Sequence, residues 1–134
     1  MMRLENWRAR LSAYLSDVSR KGFRPGEHDC ALFAAGAVEA MTGRDPAAAW
    51  RRTYRTIEDG LALLAQAGHA DHVAFAADLF EEIPPILAQV GDLAAIREGD
   101  DLALGIVQGP MIYVLRPSGL GLVPLTFAER AFRT

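Results

Sequence analysis

The chain has 134 residues, a formal net charge of -3, 51% hydrophobic residues and 23% charged residues. This length fits one domain, which we expect to span residues 1–134, and the composition excludes a largely disordered chain. The net charge of -3 excludes a general nucleic-acid-binding surface. Cys30 is the only cysteine and cannot form an internal disulfide, and no apolar stretch is long enough to span a membrane. We therefore expect a cytoplasmic protein without a signal peptide, open to later incorporation into a phage-like particle.

The first half of the sequence carries helical patterns, in which apolar residues recur at three- and four-residue spacings. The predicted helical segments are residues 4–20, 30–41, a short turn over 45–50, and 56–68. The segment over 30–41 is apolar nearly all round, which predicts burial on most of its sides. Asp29 stands at its N-cap position, and Gly43 suits the left-handed conformation that ends many helices. The stretch over 69–82 fits either a further helix or an irregular segment.

From Gly91 onward the pattern changes from helical to alternating. The strand-like segments are residues 92–97, 102–108, 111–115 and 120–124. Short turns separate them, which indicates an antiparallel meander. Helices followed by strands predict an α+β fold, with N-terminal helices packed on a C-terminal antiparallel sheet of about four to five strands.

Cys30 stands at the predicted start of the apolar helix. The helix dipole and free amides at such a position stabilise a thiolate, lower its pKa and can bind an oxyanion. A cysteine nucleophile also needs a general base, normally a histidine, within hydrogen-bond reach. Cysteine is also among the most often buried residue types, so the local pattern equally fits a small core residue.

Three short segments of the chain are Asp29-Cys30-Ala31, Gly91-Asp92-Leu93 and Ala103-Leu104-Gly105-Ile106. In this order they resemble segments of the NlpC family of cell-wall cysteine peptidases, which have a papain-like fold. The first matches the Asp-Cys of the family's Asp-Cys-Ser and departs at Ala31; the third aligns with its His-Val-Gly-Ile. This resemblance implies a papain-like (NlpC-type) fold for the whole chain, with Cys30 at the nucleophile position.

The sequence also resembles a group of small phage- and prophage-encoded proteins of unknown function. The likeness is carried by residues 28–35, Thr42-Gly43-Arg44-Asp45-Pro46, Gly91-Asp92-Leu93-Ala94, Leu104-Gly105-Ile106-Val107 and Gly121-Leu122-Val123-Pro124-Leu125. It implies a role in phage tail assembly, with other tail proteins or cell-wall peptides as partners and with no cofactor.

The resemblance to the peptidases breaks at the base, because Ala103 stands where those enzymes place the catalytic histidine. His28, two residues before Cys30, is the nearest histidine in sequence, so Cys30 and His28 form the candidate catalytic pair. His69 and His72 flank Asp71, but two histidines and one acid are a weak zinc signal. We predict no metal site there and expect solvent-facing loop residues.

Three hypotheses follow. The first is a degenerate cysteine peptidase, a pseudoenzyme with a binding or structural role in phage tail assembly. The second is an active cysteine peptidase or amidase that acts on cell-wall peptides, with Cys30 as nucleophile and a non-standard base. The third is a protein in which Cys30 is only a core residue and the likeness reflects fold alone.

Overall fold

The structure is a computed structural model that describes residues 2–134. Its helices are α1 (Trp7–Val18), α2 (Cys30–Thr42), α3 (Ile57–Gln66) and α4 (His72–Leu79). Its strands are β1 (Glu81–Ile83), β2 (Leu93–Glu98), β3 (Asp101–Val107), β4 (Met111–Arg116), β5 (Gly119–Pro124) and β6 (Ala128–Arg133). The predicted α+β class, with helices before strands, is confirmed. The chain over 69–82 resolves into α4 and β1.

All strand pairs are antiparallel, and the strands lie in the order β1-β6-β2-β3-β4-β5. The sheet thus has six strands within residues 2–134, whereas the sequence predicted four to five. The prediction missed β1 and β6, which pair with each other at one side of the sheet. Two of the three β1 residues are exposed glutamates, so no alternating apolar pattern marks that strand.

Helix α2 lies at the centre of the fold, with α1 on one side and the sheet on the other. Asp29 caps its start by accepting a hydrogen bond from the Leu32 amide at 3.0 Å, and Gly43 ends it with a φ of 82°. Both predicted ends are confirmed. Gly36 allows α1 to approach, because a Cβ atom there would collide with the hydroxyl of Tyr14. That hydroxyl instead donates to the Phe33 carbonyl at 2.8 Å.

The two faces of the sheet carry separate clusters of buried side chains. The helix-facing cluster includes Phe33, Met41, Leu93, Leu104, Ile106 and Phe132. The opposite cluster consists of Ala94, Ile96, Val107, Ile112 and Val114, with Ala88 and Leu125 packed against it. These two neighbours adjoin the short 3-10 turns Pro85–Leu87 and Leu125–Phe127, which lie over that face. Burial on both faces fixes which side each strand residue occupies.

Strands β3 and β4 share only two residue pairs, Ile106 with Tyr113 and Val107 with Ile112. The first half of β3 therefore extends beyond β4, and α2 and α4 pack near it. This arrangement leaves room for a cavity beside the start of α2. None of the helices in the described chain combines the length and apolar character needed to cross a membrane.

Candidate functional site

A cavity of about 280 Å³ lies between the start of α2, helices α3 and α4, and strand β3. Its lining is mainly apolar and aromatic. Residues that define its walls are Cys30, Trp50, Leu61, His72, Phe75 and Leu104. Four lining side chains, Phe23, Ile57, Leu61 and Leu79, are 39–42% exposed, so the cavity opens to solvent through an apolar rim. Concave apolar pockets with a few polar groups are the usual form of a binding site.

Asp29 is buried below this cavity, with 3% of its surface exposed. Its carboxylate accepts hydrogen bonds from the amides of Gly26 and Leu32, both at 3.0 Å, and from the hydroxyl of Tyr54. Asp29 thus joins the preceding loop, the start of α2 and the cavity wall. These three hydrogen bonds give the Asp of the Asp-Cys motif a structural role at the start of α2.

The Cys30 thiol lines the cavity and is partly buried. Burial raises its pKa to about 12, and the negative charges of Glu98 and Asp29 act in the same direction. A hydrogen bond from its own backbone amide lowers the pKa, but by less. The start of α2 therefore does not make Cys30 a thiolate, because desolvation and two acids outweigh the helix start. At neutral pH the group is a protonated thiol.

His28, the predicted base, does not line the cavity that Cys30 lines. It is only 3% exposed, its ring packs edge-on against Phe33 with centroids 6.0 Å apart, and its Nε2 has no hydrogen-bond partner. Burial lowers the pKa of its imidazole, and the charge of Lys21 lowers it further. No hydrogen bond joins His28 to Cys30 among residues 2–134, so their catalytic pairing stays a prediction.

Ala103 is not the position on β3 that faces Cys30. In the β2–β3 ladder Ala103 pairs with Ile96, and Leu104 pairs with Ala95. Ile96 belongs to the cluster on the far face of the sheet, and opposite residues of an antiparallel pair share a face. Leu102 and Leu104 line the cavity instead. Ala103 therefore lies on the sheet face away from the cavity, because strand side chains alternate between faces, and its alignment with the peptidase histidine stays a prediction.

The cavity side of β3 does not supply a histidine either. The residues of β3 that line the cavity are Asp101, Leu102 and Leu104. The two leucines can neither take a proton nor orient an imidazole, and Asp101 is a carboxylate rather than the histidine that a cysteine nucleophile normally uses.

His72 is the histidine that the structure brings to the cavity, and the sequence analysis missed it. It is the first residue of α4, whose N-cap Asp71 accepts from the Ala74 amide at 2.8 Å. Its Nε2 accepts a hydrogen bond from the Leu104 amide at 3.2 Å. This bond requires a neutral ring with its proton on Nδ1, and burial lowers the imidazole pKa accordingly. An aspartate cap before the apolar positions of α4 was the available signal.

The prediction of solvent-facing loop histidines at His69 and His72 is wrong for His72, which lies in α4 beside β3. His69 packs edge-on against Phe75, and its Nδ1 lies 3.0 Å from the Asp78 carboxylate. The two histidines thus have different partners. Within residues 2–134 no three His, Cys, Asp or Glu side chains converge as metal ligands.

The charged residues around the cavity are all acidic. Asp71, Glu98 and Asp101 line it together with the buried Asp29, and the lining contains no lysine or arginine. Glu98 and Asp101 are exposed residues at the end of the β2–β3 hairpin. The cavity therefore combines apolar walls with a negative charge along one side.

A family model for a domain of unknown function, DUF6950, matches residues 2–134. The chain belongs to this family. The match confirms the expectation of a family of unknown function. The matched residues include every helix and strand that lines the cavity beside Cys30. No curated protein matches the chain.

Proposed function

We propose that this DUF6950 chain is a degenerate papain-like cysteine peptidase that binds an apolar segment of a partner in the cavity beside Cys30, with a role in phage tail assembly. One observation carries the loss of activity. Cys30 is a partly buried thiol whose pKa is raised to about 12, and no base is hydrogen-bonded to it within the described residues. A thiol in that state is a poor nucleophile at neutral pH.

The hydrogen bond that His72 makes in the cavity supports this proposal. His72 lines the same cavity, but its Nε2 accepts the Leu104 amide proton and holds α4 against β3. A general base must be free to take a proton from the nucleophile. His72 in this position serves the structure.

The retained peptidase-like motifs also have structural explanations. Asp29 accepts three hydrogen bonds, and Asp92 of the Gly-Asp-Leu segment is 3% exposed and accepts from Arg3, Gln89 and Thr134. Such residues are kept by folding alone when catalysis is lost. The papain-like ancestry rests on these motifs and on a Cys-headed helix packed against an antiparallel sheet. The phage setting rests on the sequence resemblance.

The first experiment tests catalysis. Cell-wall peptides are incubated with the wild-type chain and with Cys30→Ala, and products are measured by liquid chromatography and mass spectrometry. We expect no release above that of the variant. Sustained turnover by the wild type that disappears in Cys30→Ala would overturn the proposal.

The second experiment tests binding in the cavity. Amide chemical shifts are recorded during titration with 1-octanol, a neutral apolar probe. We expect saturable shifts around α3 and α4, with affinity reduced several-fold by Leu61→Ser, which removes one apolar side chain from the rim that the probe would contact. Leu122→Ser is the matched control, because Leu122 is 48% exposed on β5 and does not line the cavity. Equal effects of the two variants would contradict binding at this site.

An active cysteine peptidase or amidase is the second candidate function, and one observation favours it: Cys30 and His72 line the same cavity. Activity would require the His72 ring to release the Leu104 amide and turn toward the thiol. In that case His72→Gln would slow iodoacetamide labelling of Cys30 well below the wild-type rate. An unchanged rate in both His72→Gln and His28→Gln would exclude a histidine-activated Cys30.

A further inference from the structure

We propose that the cavity recognises a peptide segment of a partner protein in which an apolar side chain lies next to a lysine or arginine. This inference rests on the proposed binding function and names the chemical class of the occupant. It is carried by two independent features of the site, an apolar rim and a lining whose charged side chains are all acidic.

The apolar rim consists of four exposed side chains, Phe23, Ile57, Leu61 and Leu79. Ile57 and Leu61 lie one turn apart on α3 and are 40% and 42% exposed, and Phe23 and Leu79 are equally exposed nearby. Residues four apart on a helix share a face. A small amine would fill the cavity and leave this rim in water, whereas a peptide segment would cover both.

The acids stand at the end of the β2–β3 hairpin. Glu98 and Asp101 form the last pair of the β2–β3 ladder, on the sheet face of Ile96 and Ala103, and both reach the cavity lining where the hairpin ends. Like charges in opposite positions destabilise an antiparallel pair. Neither carboxylate forms an ion pair within residues 2–134. An unfavourable pair of acids beside an apolar cavity is explained by a cationic group that binds between them.

Hydrogen bonding to Glu129 and, to a smaller extent, the charge of Asp101 raise the pKa of Arg97, so this arginine compensates Asp101 only in part. Arg97 donates to both oxygens of Glu129, at 2.8 and 3.0 Å, and is not part of the cavity lining. The charge of Glu98 acts on the Cys30 thiol, so the negative field extends to the cavity wall. Asp71, the N-cap residue of α4, is a third acid in the cavity lining. A cation next to an apolar anchor would therefore meet complementary charge.

The test uses three synthetic hexapeptides with blocked ends: Gly-Lys-Leu-Leu-Lys-Gly, and the same peptide with both lysines replaced by glutamine or by glutamate. Binding to the full chain is measured by isothermal titration calorimetry at low salt. We expect the lysine peptide to bind about tenfold more tightly than the glutamine peptide, and the glutamate peptide to bind most weakly. Raising the salt from ~0.02 M to ~0.5 M should remove most of this difference.

The protein variants locate the charge effect. Glu98→Gln with Asp101→Asn should reduce the preference for lysine over glutamine to about twofold or less. Asp100→Asn is the matched control, because Asp100 belongs to the same turn and does not line the cavity. Circular dichroism confirms that each variant is folded.

The outcomes separate this inference from the proposed function. Tight binding of all three peptides alike would overturn the charge preference while leaving the binding role intact. Binding of neither the peptides nor 1-octanol would overturn the binding role and this inference with it. An equal loss of lysine preference in Asp100→Asn would show general acidity of the surface and would contradict recognition at the cavity.

Discussion

At the level of single residues, the carboxylate of Asp29 is the best-connected polar group near the cavity. It is buried and accepts hydrogen bonds from two amides and one hydroxyl. Removing it leaves these donors without a partner and removes the N-cap of α2. We expect Asp29→Ala to lower the free energy of unfolding by about 3 kcal/mol.

Urea denaturation followed by circular dichroism checks this value. Tyr54→Phe is the companion variant, because it removes one donor and leaves Asp29 with its two amide partners. Its expected cost is about 1 kcal/mol. A cost for Asp29→Ala no greater than that for Tyr54→Phe would show that Asp29 does not hold the start of α2.

Cys30 gives a second residue-level prediction, since its pKa is raised to about 12. At neutral pH its thiolate fraction falls by about three orders of magnitude relative to a free thiol, and higher intrinsic nucleophilicity restores part of this loss. We expect iodoacetamide to label the native chain about 100-fold more slowly than the urea-unfolded chain. Mass spectrometry measures both rates. Native labelling as fast as unfolded labelling would mean that the thiol pKa is not raised, and faster native labelling would mean an activated thiol.

At the level of elements, helix α4 is joined to β3 through a titrating side chain. Burial lowers the pKa of His72 below its ordinary value, and the charges of Asp71 and Asp29 offset only part of this. Between the folded and unfolded pKa values the unfolded chain binds more protons, so acid favours unfolding. The stability contribution is complete above ~pH 6.5 and is lost as the pH falls toward the folded value.

The expected result is a loss of stability between ~pH 7.5 and ~pH 5.5 that is smaller in His72→Gln than in the wild type. The glutamine oxygen can still accept the Leu104 amide proton, so the variant should fold. His28→Gln should act in the same direction, because burial lowers that pKa as well. Urea midpoints at the two pH values measure the change. Identical pH dependence in wild type and both variants would contradict neutral buried imidazoles.

The elements themselves were largely predictable from sequence. The start and end of α2 followed from Asp29 and Gly43, and the core strands followed from alternating apolar residues. The register of β3 was not predictable, because Leu102, Ala103 and Leu104 are all apolar and give no periodic signal. The face of each residue is decided by its partner on β2, which is a tertiary property. The same limit hid the contact between His72 and Leu104, which are 32 residues apart.

At the level of the whole molecule, the two terminal segments meet at Asp92. Arg3 donates to the Asp92 carboxylate at 3.1 Å and to the Thr134 hydroxyl at 3.0 Å, and the Thr134 amide donates to the same carboxylate oxygen at 3.1 Å. The Arg3 guanidinium also lies 4.1 Å from the centre of the Trp7 ring. This cluster connects the chain before α1 to the start of β2 and the end of β6.

We expect Arg3→Ala to reduce the free energy of unfolding by about 2 kcal/mol, because a buried carboxylate loses its charged partner. Arg8→Ala is the control, since Arg8 also lies over the Trp7 ring, at 4.5 Å, but forms no ion pair within residues 2–134. Thermal unfolding compares the two. Equal losses would mean that stacking on Trp7, rather than the Asp92 contact, stabilises this corner.

The β3–β4 ladder is short, and it joins the β4–β5 ribbon to the other four strands of the sheet. Two residue pairs join these strands, whereas six join β2 to β3 and six join β4 to β5. The Leu120 amide donates to the Ser19 carbonyl at 2.9 Å, which attaches the β4–β5 ribbon to the chain just after α1. The strand residues that line the cavity come from β2 and β3, and none comes from the β4–β5 ribbon. A partner seated beside Cys30 would therefore contact the half of the sheet that is joined by the longer β2–β3 ladder.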